Sequence, residues 1–325
     1  MTLPLLQISM PTPWPAVGPV HAYLVRQDPI TLIDTGLHDE ASRAALVDGL
    51  ARHGLTLRDI KRVLLTHAHI DHYGQAGWVA AEAGARVWLH PDEAAKLSTP
   101  DWWLEGRRQV LTDAGVPAES QALMHEVWQR GRSTQTFPLT EWELLAPGQR
   151  FEFESGVLEA VHLPGHALGH TGYWEAATGT LVGGDHLLVG VTPNPVMEPV
   201  PAGHPAAAPH APGRALTLGQ FLGALDRVAA MPVQRVLPGH GEVITDHRTV
   251  VRGYQERHER RLGRMWERLQ EPVTPYALCR ELYPRVREWD IFLALSEVAA
   301  HLDLLVARGR AVVEPGAEGW RYRAV

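Results

Sequence analysis

Apolar and polar positions follow two different rhythms along this chain of 325 residues. From His21 to Gly36, "HAYLVRQDPITLIDTG" has apolar runs on both sides of Asp28-Pro29, which predicts two short strands around a turn. "HDEASRAALVDGLARHG" then shows helical spacing with a glycine stop. "KRVLLT" suits a short buried strand, "GQAGWVAAEAGA" a helix and "RVWLH" the next strand. Strand, helix, strand, helix, strand is the order of an α/β layered fold.

From about Ser98 to Thr140 that alternation is interrupted by tryptophan-bearing helical sequence, which Pro and Gly divide into two helices and which is expected as an insertion. Trp102, Trp103 and Trp128 in it suit an apolar wall over a site, a dimer contact or a small satellite core. Strands resume in "EWELLAPGQRFEFESGVLEAVHLPGH" and "TGYWEAATGTLVGGD", with turn residues at hairpin spacing. "VTPNPVMEPVPAGHPAAAPHAPGR" is too rich in Pro and Ala for regular structure and is expected as a long surface loop. A helix from about Leu216 to Ala230, the strand "QRVLPGHG" and a helix from about Asp246 to Gln270 follow. The last of these has seven Arg against four acids and reads as a solvated face with Glu256 paired to Arg260. Beyond Pro272, "TPYALCRELY", "WDIFLALSEVAAHLDLLVARG" and the strand pair "RAVVEP" and "GWRYRAV" outline a winged-helix-like domain, 272–325, after a main domain, 1–271.

Hydrophobic content of 45% is enough for a large core, yet no run is long enough to span a bilayer, so no membrane partner is expected. A net charge of -7 offers a polyanion no global attraction. The tail balances seven Arg with seven acids, Asp290, Glu297 and Asp303 among them, and so reads as a packing or oligomer-forming module, compatible with a homodimer, rather than a DNA reader. Lys61 and Lys96 are the only lysines, a compositional bias. The first twenty residues contain no basic residue and several prolines, unlike a signal peptide, which makes the cytoplasm the expected location. Cys279 stands alone and excludes both an internal disulfide and a multi-thiolate zinc site. Metal chemistry, if present, falls to His and Asp.

"LLTHAHIDHYG", residues 64–74, supplies such a set. Neutral imidazole binds zinc or iron well, and carboxylate adds charge neutralisation. His67, His69 and Asp71 alternate, so extended backbone would place them on one face, with His72 reached by a turn at the strand end. His166 in "LPGHALGH", Asp185 in "LVGGD" and His240 in "VLPGHG" each adjoin glycine at the end of a short apolar strand. His170 and His186 are read as hydrogen-bonding neighbours, and Tyr73 as pocket lining or packing.

"LIDTG", "THAHIDH", "PGHALGH", "GGD" and "PGHG", in that order from about His21 to Gly241, resemble the metallo-β-lactamase superfamily. The resemblance implies a four-layer αββα sandwich carrying the helical insertion and the small C-terminal domain. It implies that His67, His69 and His166 hold one divalent ion and Asp71, His72 and His240 the other, with Asp185 bridging. Asp34 would orient ligand groups from behind, and Asp71 would be both ligand and catalytic proton acceptor. The aspartate at the bridging position and the remote Cys279 depart from lactamases that use a cysteine ligand, and His69 departs from the glutamate of flavo-di-iron oxygen reductases. Glyoxalase-II-like thioesterases are the nearer pattern. The function implied is hydrolysis of a small-molecule thioester, ester or lactone by water activated between two ions, zinc first, with iron and manganese as alternatives. The alternative is a metal-dependent endoribonuclease, because the tail resembles the β-lactamase-like branch that includes a mitochondrial enzyme of that kind.

Overall fold

A computed structural model of the chain describes residues 3–287 and 291–325. Trp289 and Asp290, counted above in the last helix, lie outside the described residues. One sheet contains, in order, β1 (Leu5–Met10), β2 (Val20–Val25), β3 (Thr31–Ile33), β4 (Arg62–Leu64), β5 (Arg86–Leu89) and β6 (Glu143–Leu144). It is antiparallel from β1 to β3 and parallel from β3 to β6. A second sheet is built from β7 (Arg150–Phe153), β8 (Gly156–His162), β9 (Thr171–Glu175), β10 (Thr180–Gly184) and β13 (Arg235–Pro238), ordered β13-β10-β9-β8-β7. Only its β10–β13 pair is parallel.

The period-two alternation of side chains decides the layering. Tyr23, Val25, Ile33 and Leu64 of the first sheet meet Phe151, Leu158, Tyr173, Val182 and Leu237 of the second in one buried cluster between the sheets. Their sequence neighbours Ala22, Leu24, Leu32 and Val63 face the opposite way, against Leu46 and Leu50 of α1 (Glu40–Ala51) and Val79 of α3 (Ala76–Ala83). Leu181 and Val236 likewise turn outward onto Phe221, Leu225 and Val228 of α7 (Thr217–Ala230) and Val251 of α8 (His247–Trp266). Helix, sheet, sheet, helix is therefore the consequence of strands that are apolar on both faces.

The insertion forms α5 (Asp101–Asp113) and α6 (Ala118–Gln135), preceded by α4 (Pro91–Ser98), which the pattern does not distinguish from its surroundings. The Pro- and Ala-rich segment corrects one expectation: Val196 to Val200 are buried rather than forming a surface loop, and the segment ends in a hairpin of β11 (Ala207–Ala208) and β12 (Ala211–Ala215). Composition predicted irregular backbone there and missed that apolar spacing lets it pack inward. The solvated face of α8 has the expected Arg260–Glu256 contact at 3.7 Å. Among the described residues no helix is long and apolar enough to cross a membrane.

The last elements are α9 (Pro275–Leu282), α10 (Ile291–Ala307), β14 (Ala311–Glu314) and β15 (Arg321–Ala324). Leu295, Val298 and Leu302 of α10 share one apolar cluster with α7 and α8. A buried ion pair ties the same surfaces: Arg214 donates to both oxygens of Asp303 at 2.9 and 2.7 Å, and Tyr322 donates to Asp303 at 2.7 Å. Burial opposes ionisation of Asp303, but Arg214 and His210 outweigh it and hold the carboxyl below its ordinary range.

Asp303→Asn leaves the Arg214 charge buried without its counter-ion. Unfolding free energy should fall by about 3–5 kcal/mol at neutral pH, read by urea denaturation. Because the folded pKa is depressed, the stabilisation is present above the unfolded value of about 4 and is lost as pH falls through the folded value. The gap between wild type and variant should therefore narrow below about pH 4.

Candidate metal centre

Five strand ends supply the site. Asp34 follows β3, His67 and His69 follow β4, His166 lies between β8 and β9, Asp185 follows β10, and His240 follows β13. Two buried tyrosines from the inter-sheet core fix two of these ends: Tyr173 Oη donates to Leu65 O and Tyr23 Oη to Pro238 O, both at 2.7 Å. Each accepting residue stands two positions before a site histidine. Packing of the sandwich and placement of the site are thus mechanically joined.

The structure brings all seven side chains together in three overlapping triplets, His67–His69–His166, His67–His72–Asp185 and Asp71–His72–His240. His67 Nε2 lies 2.9 Å from His69 Nδ1, and His166 Nε2 lies 3.0 Å from the same atom. Asp71, His72 and His240 form the neighbouring group, with His240 Nε2 3.2 Å from Asp71 Oδ2. Asp185 stands between them: its Oδ2 is 3.7 Å from both His166 Nε2 and His240 Nε2, and its Oδ1 is 3.4 Å from His72 Nε2. One local expectation is corrected. Residues 67–69 precede a helical turn, α2 (Ile70–Tyr73), so Asp71 does not continue an extended face with His67 and His69. The turn starts there because Tyr73 N and Gly74 N bond back to His69 O and Ile70 O, and it swings Asp71 and His72 toward His240.

Hydrogen bonds behind the rings decide which nitrogens face inward. Thr66 Oγ1 donates to Asp34 Oδ2 at 2.7 Å, so it accepts from His67 Nδ1 at 3.0 Å. His72 Nδ1 donates to Asp34 Oδ2 at 2.8 Å, His166 Nδ1 to Asn194 O at 3.0 Å and His240 Nδ1 to Pro19 O at 3.0 Å. In the neutral form, the one that binds a metal, a ring has one N–H, so each of these four would then carry it on Nδ1 and direct an Nε2 lone pair into the centre. His69 Nδ1 faces two such lone pairs and could satisfy one at most. His72 Nε2 and Asp185 Oδ1 are buried without a hydrogen-bond partner, a costly arrangement unless something else binds them. Converging imidazole lone pairs with two carboxylates fit a pair of divalent cations.

The electrostatics divide in the same way. Burial, reinforced by neighbouring rings, lowers His67 well below its ordinary value and His69 to about 3, so both are neutral donors. Burial also opposes charge on Asp185, but His72 and His240 overcome it and hold the carboxyl well below its ordinary range; Asp185 and Asp71 in turn raise the proton affinity of both rings against burial, so metal binding there would displace protons from them. Backbone space is as tight as the charges. A Cβ on Gly239 would sit 2.3 Å from Asp185 Oδ1 and 2.8 Å from His72 Cε1, and Gly184 adopts a φ of 48° beside His170. Only glycine lets the backbone pass so near the site.

His170 is buried and its Nε2 accepts from Asp185 N at 3.1 Å, so it positions that carboxylate. His186 packs on Phe221, and Tyr73 is buried in the core behind α2. Sequence reasoning missed Glu93, Lys96 and Glu198. Glu93 accepts from Ala68 N and Gly169 N, each at 2.8 Å, which clamps together the two loops that bear His67, His69 and His166. Lys96 Nζ bridges Glu93 at 2.7 Å and Glu198 at 2.6 Å, and Glu198 accepts from Leu168 N at 3.4 Å. Lys96 is thus a placed charge as well as one of two lysines. Its signals in the sequence are rarity and Glu93 three residues earlier, a spacing that predicts a helical pair but not the buried bridge to Glu198.

Comparison with known proteins agrees with this geometry. Residues 15–240 match the family model described as Metallo-beta-lactamase superfamily. The Bacillus subtilis (strain 168) protein named probable metallo-hydrolase YqjP is 30% identical over 308 residues, covering 93% of this chain and 92% of that one. A crystal structure of a metallo-beta-lactamase family protein from Thermus thermophilus is 30% identical, covers 99% of this chain and 98% of its own, and superposes with a TM-score of 0.83. A beta-lactamase domain protein from Burkholderia ambifaria, 23% identical, has the same fold, with a TM-score of 0.78 and coverage of 98% and 92%. With its sandwich, its clustered His and Asp donors and these relatives, the chain belongs to the metallo-beta-lactamase superfamily and is a metallohydrolase of that fold.

Proposed function

We propose that the protein is a binuclear zinc hydrolase that cleaves a thioester, ester or lactone of a small molecule. In this reading His67, His69 and His166 would hold one ion and Asp71, His72 and His240 the other, with Asp185, whose oxygens lie 3.4 to 3.7 Å from His72, His166 and His240, as the shared ligand. The observation that carries it is the set of four imidazoles whose outer nitrogens are fixed by Thr66, Asp34, Asn194 and Pro19, so that their inner lone pairs converge. When bound, a pair of divalent ions would supply activated water at neutral pH and polarise the carbonyl. No thiol competes for that role: Cys279 is buried, and burial pushes it up to about 11.

The chain's own part is to orient and to move a proton. Asp34 places Thr66 and His72 at once, and Asp71, with Oδ2 turned toward His240, is the carboxylate placed to accept a proton as water attacks. Iron and manganese accept the same donors, which is why metal identity belongs to experiment. Residues 272–325 are read as a winged-helix-like unit that packs on the main domain, supported by the shared apolar cluster and the Arg214–Asp303 pair.

Protein purified under metal-replete conditions should hold two equivalents of metal by elemental analysis, and His69→Ala and His240→Ala should each hold about one. Chelator treatment should abolish hydrolysis of a panel of thioesters, esters and lactones, and zinc should restore it. A zinc-loaded enzyme that cleaves none of the panel but cuts single-stranded RNA would sink this reading and install the ribonuclease. Asp34→Ala should weaken metal affinity roughly 10- to 100-fold in competition with a chromophoric chelator, because the His72 ring loses its orienting partner.

A further inference from the structure

The helical insertion carries an arginine in an unusual state. The Arg107 guanidinium lies over three aromatic rings, at 4.9 Å from Phe292, 5.0 Å from Trp128 and 5.8 Å from Trp103. Cation–π contact of this kind attracts the charge without consuming the N–H donors. Arg132 gives the contrast: it also stacks on Trp128, but spends its donors on Lys96 O and Leu97 O. Among the described residues nothing accepts a hydrogen bond from Arg107 and no carboxylate pairs with it. The side chain is half-buried, with nitrogens that solvent still reaches. Burial lowers its pKa to about 10, partly offset by Glu198 nearby, yet it stays charged at neutral pH. Glu198 gives it no full counter-charge, since its nearer partner is Lys96 at 2.6 Å and burial raises its carboxyl to about 7. An unpaired, partly desolvated cation with open donors is a receptor for an oxyanion.

The surroundings of Arg107 connect to the metal centre by three routes. Gly106, beside it, packs so closely on Pro199 that a Cβ would lie 2.7 Å from the proline ring, and the preceding Glu198 accepts from Leu168 N in the His166 loop. Leu293 O, next to Phe292, accepts from Asn194 Nδ2 at 2.7 Å, and Asn194 O accepts from His166 Nδ1. On α6, Gly131 faces Ile70, which stands between His69 and Asp71.

We propose that Arg107 is a substrate-specificity residue that receives a carboxylate or phosphate carried by the substrate apart from its scissile acyl bond. The proposal rests on the hydrolase reading above and narrows its substrate class to anionic acyl compounds. Trp103, Trp128 and Phe292 act as positioning residues that surround the guanidinium.

The test compares wild type, Arg107→Met and Arg107→Lys in the zinc-loaded enzyme. Methionine keeps an apolar stem against the aromatic rings and removes the charge, while lysine keeps the charge and loses the planar fork. Aryl esters of equal length are assayed with tails ending in carboxylate, phosphate or methyl ester. The readout is the ratio of kcat/KM for each anionic tail to that for the neutral one. Wild type should favour one anionic tail, and which one identifies the oxyanion; Arg107→Met should lower that ratio roughly 10- to 100-fold, and Arg107→Lys should recover part of it. A ratio unchanged in Arg107→Met, or near one in wild type, overturns the proposal. Calorimetric titration with glutarate and with methylphosphonate supplies a second readout free of turnover, expected to weaken at least about tenfold in Arg107→Met. If no ester is cleaved, the hydrolase reading fails on its own terms, and equal affinity of wild type and Arg107→Met for both anions still overturns the anion site.

Discussion

Asp34 has a single carboxylate with which to organise most of the centre. Its Oδ1 takes the Thr66 amide at 2.8 Å, and its Oδ2 takes both the Thr66 hydroxyl and the His72 ring. From those three bonds follow the tautomer of His67, the tautomer of His72 and the path of the backbone leaving β4. The residue sits at a φ of 58°, a conformation that aspartate tolerates better than most side chains, at the sharp exit of β3. A neutral isostere there would keep the shape and lose the acceptor that two donors require. The geometry of the imidazoles is therefore held by a buried carboxyl that stands behind the rings.

The sandwich makes this arrangement rigid. Strands apolar on both faces bury one set of side chains between the sheets and the other under helices, and the ends of β3, β4, β8, β10 and β13 are left at one edge with glycine where backbone must pass close. The tyrosines Tyr23 and Tyr173 convert core packing directly into the position of the residues that lead to His240 and His67. Behind the loops, Glu93, Lys96 and Glu198 form a buried polar network in which nearly every donor has an acceptor, the condition under which such networks specify one conformation.

The insertion and the C-terminal helices extend the same logic outward. α10 is bound to the main sandwich by apolar contact and by Arg214 with Asp303, and its first turn reaches the metal centre through Leu293 and Asn194. Phe292 in that turn joins Trp103 and Trp128 of the insertion around Arg107. Two segments far apart in sequence thus meet around one arginine.

Sequence alone determined the layered α/β plan and the identity of the seven clustered side chains, because period-two and helical spacing are local properties and five ordered motifs mark the strand ends. Their gathering is tertiary. The helical turn that diverts Asp71 is made by local backbone bonds that the alternating spacing of His67, His69 and Asp71 does not reveal, and the joint use of Glu93 by Ala68 and Gly169 depends on residues 25 and 76 positions apart, whose separation in space no local pattern encodes. Lys96 shows the limit most plainly: helical spacing supplies Glu93 three residues before it, and only the fold brings Glu198, 102 positions away, to its other side. Charge and aromatic rings acquire roles from what faces them, and what faces them is decided when the layers close.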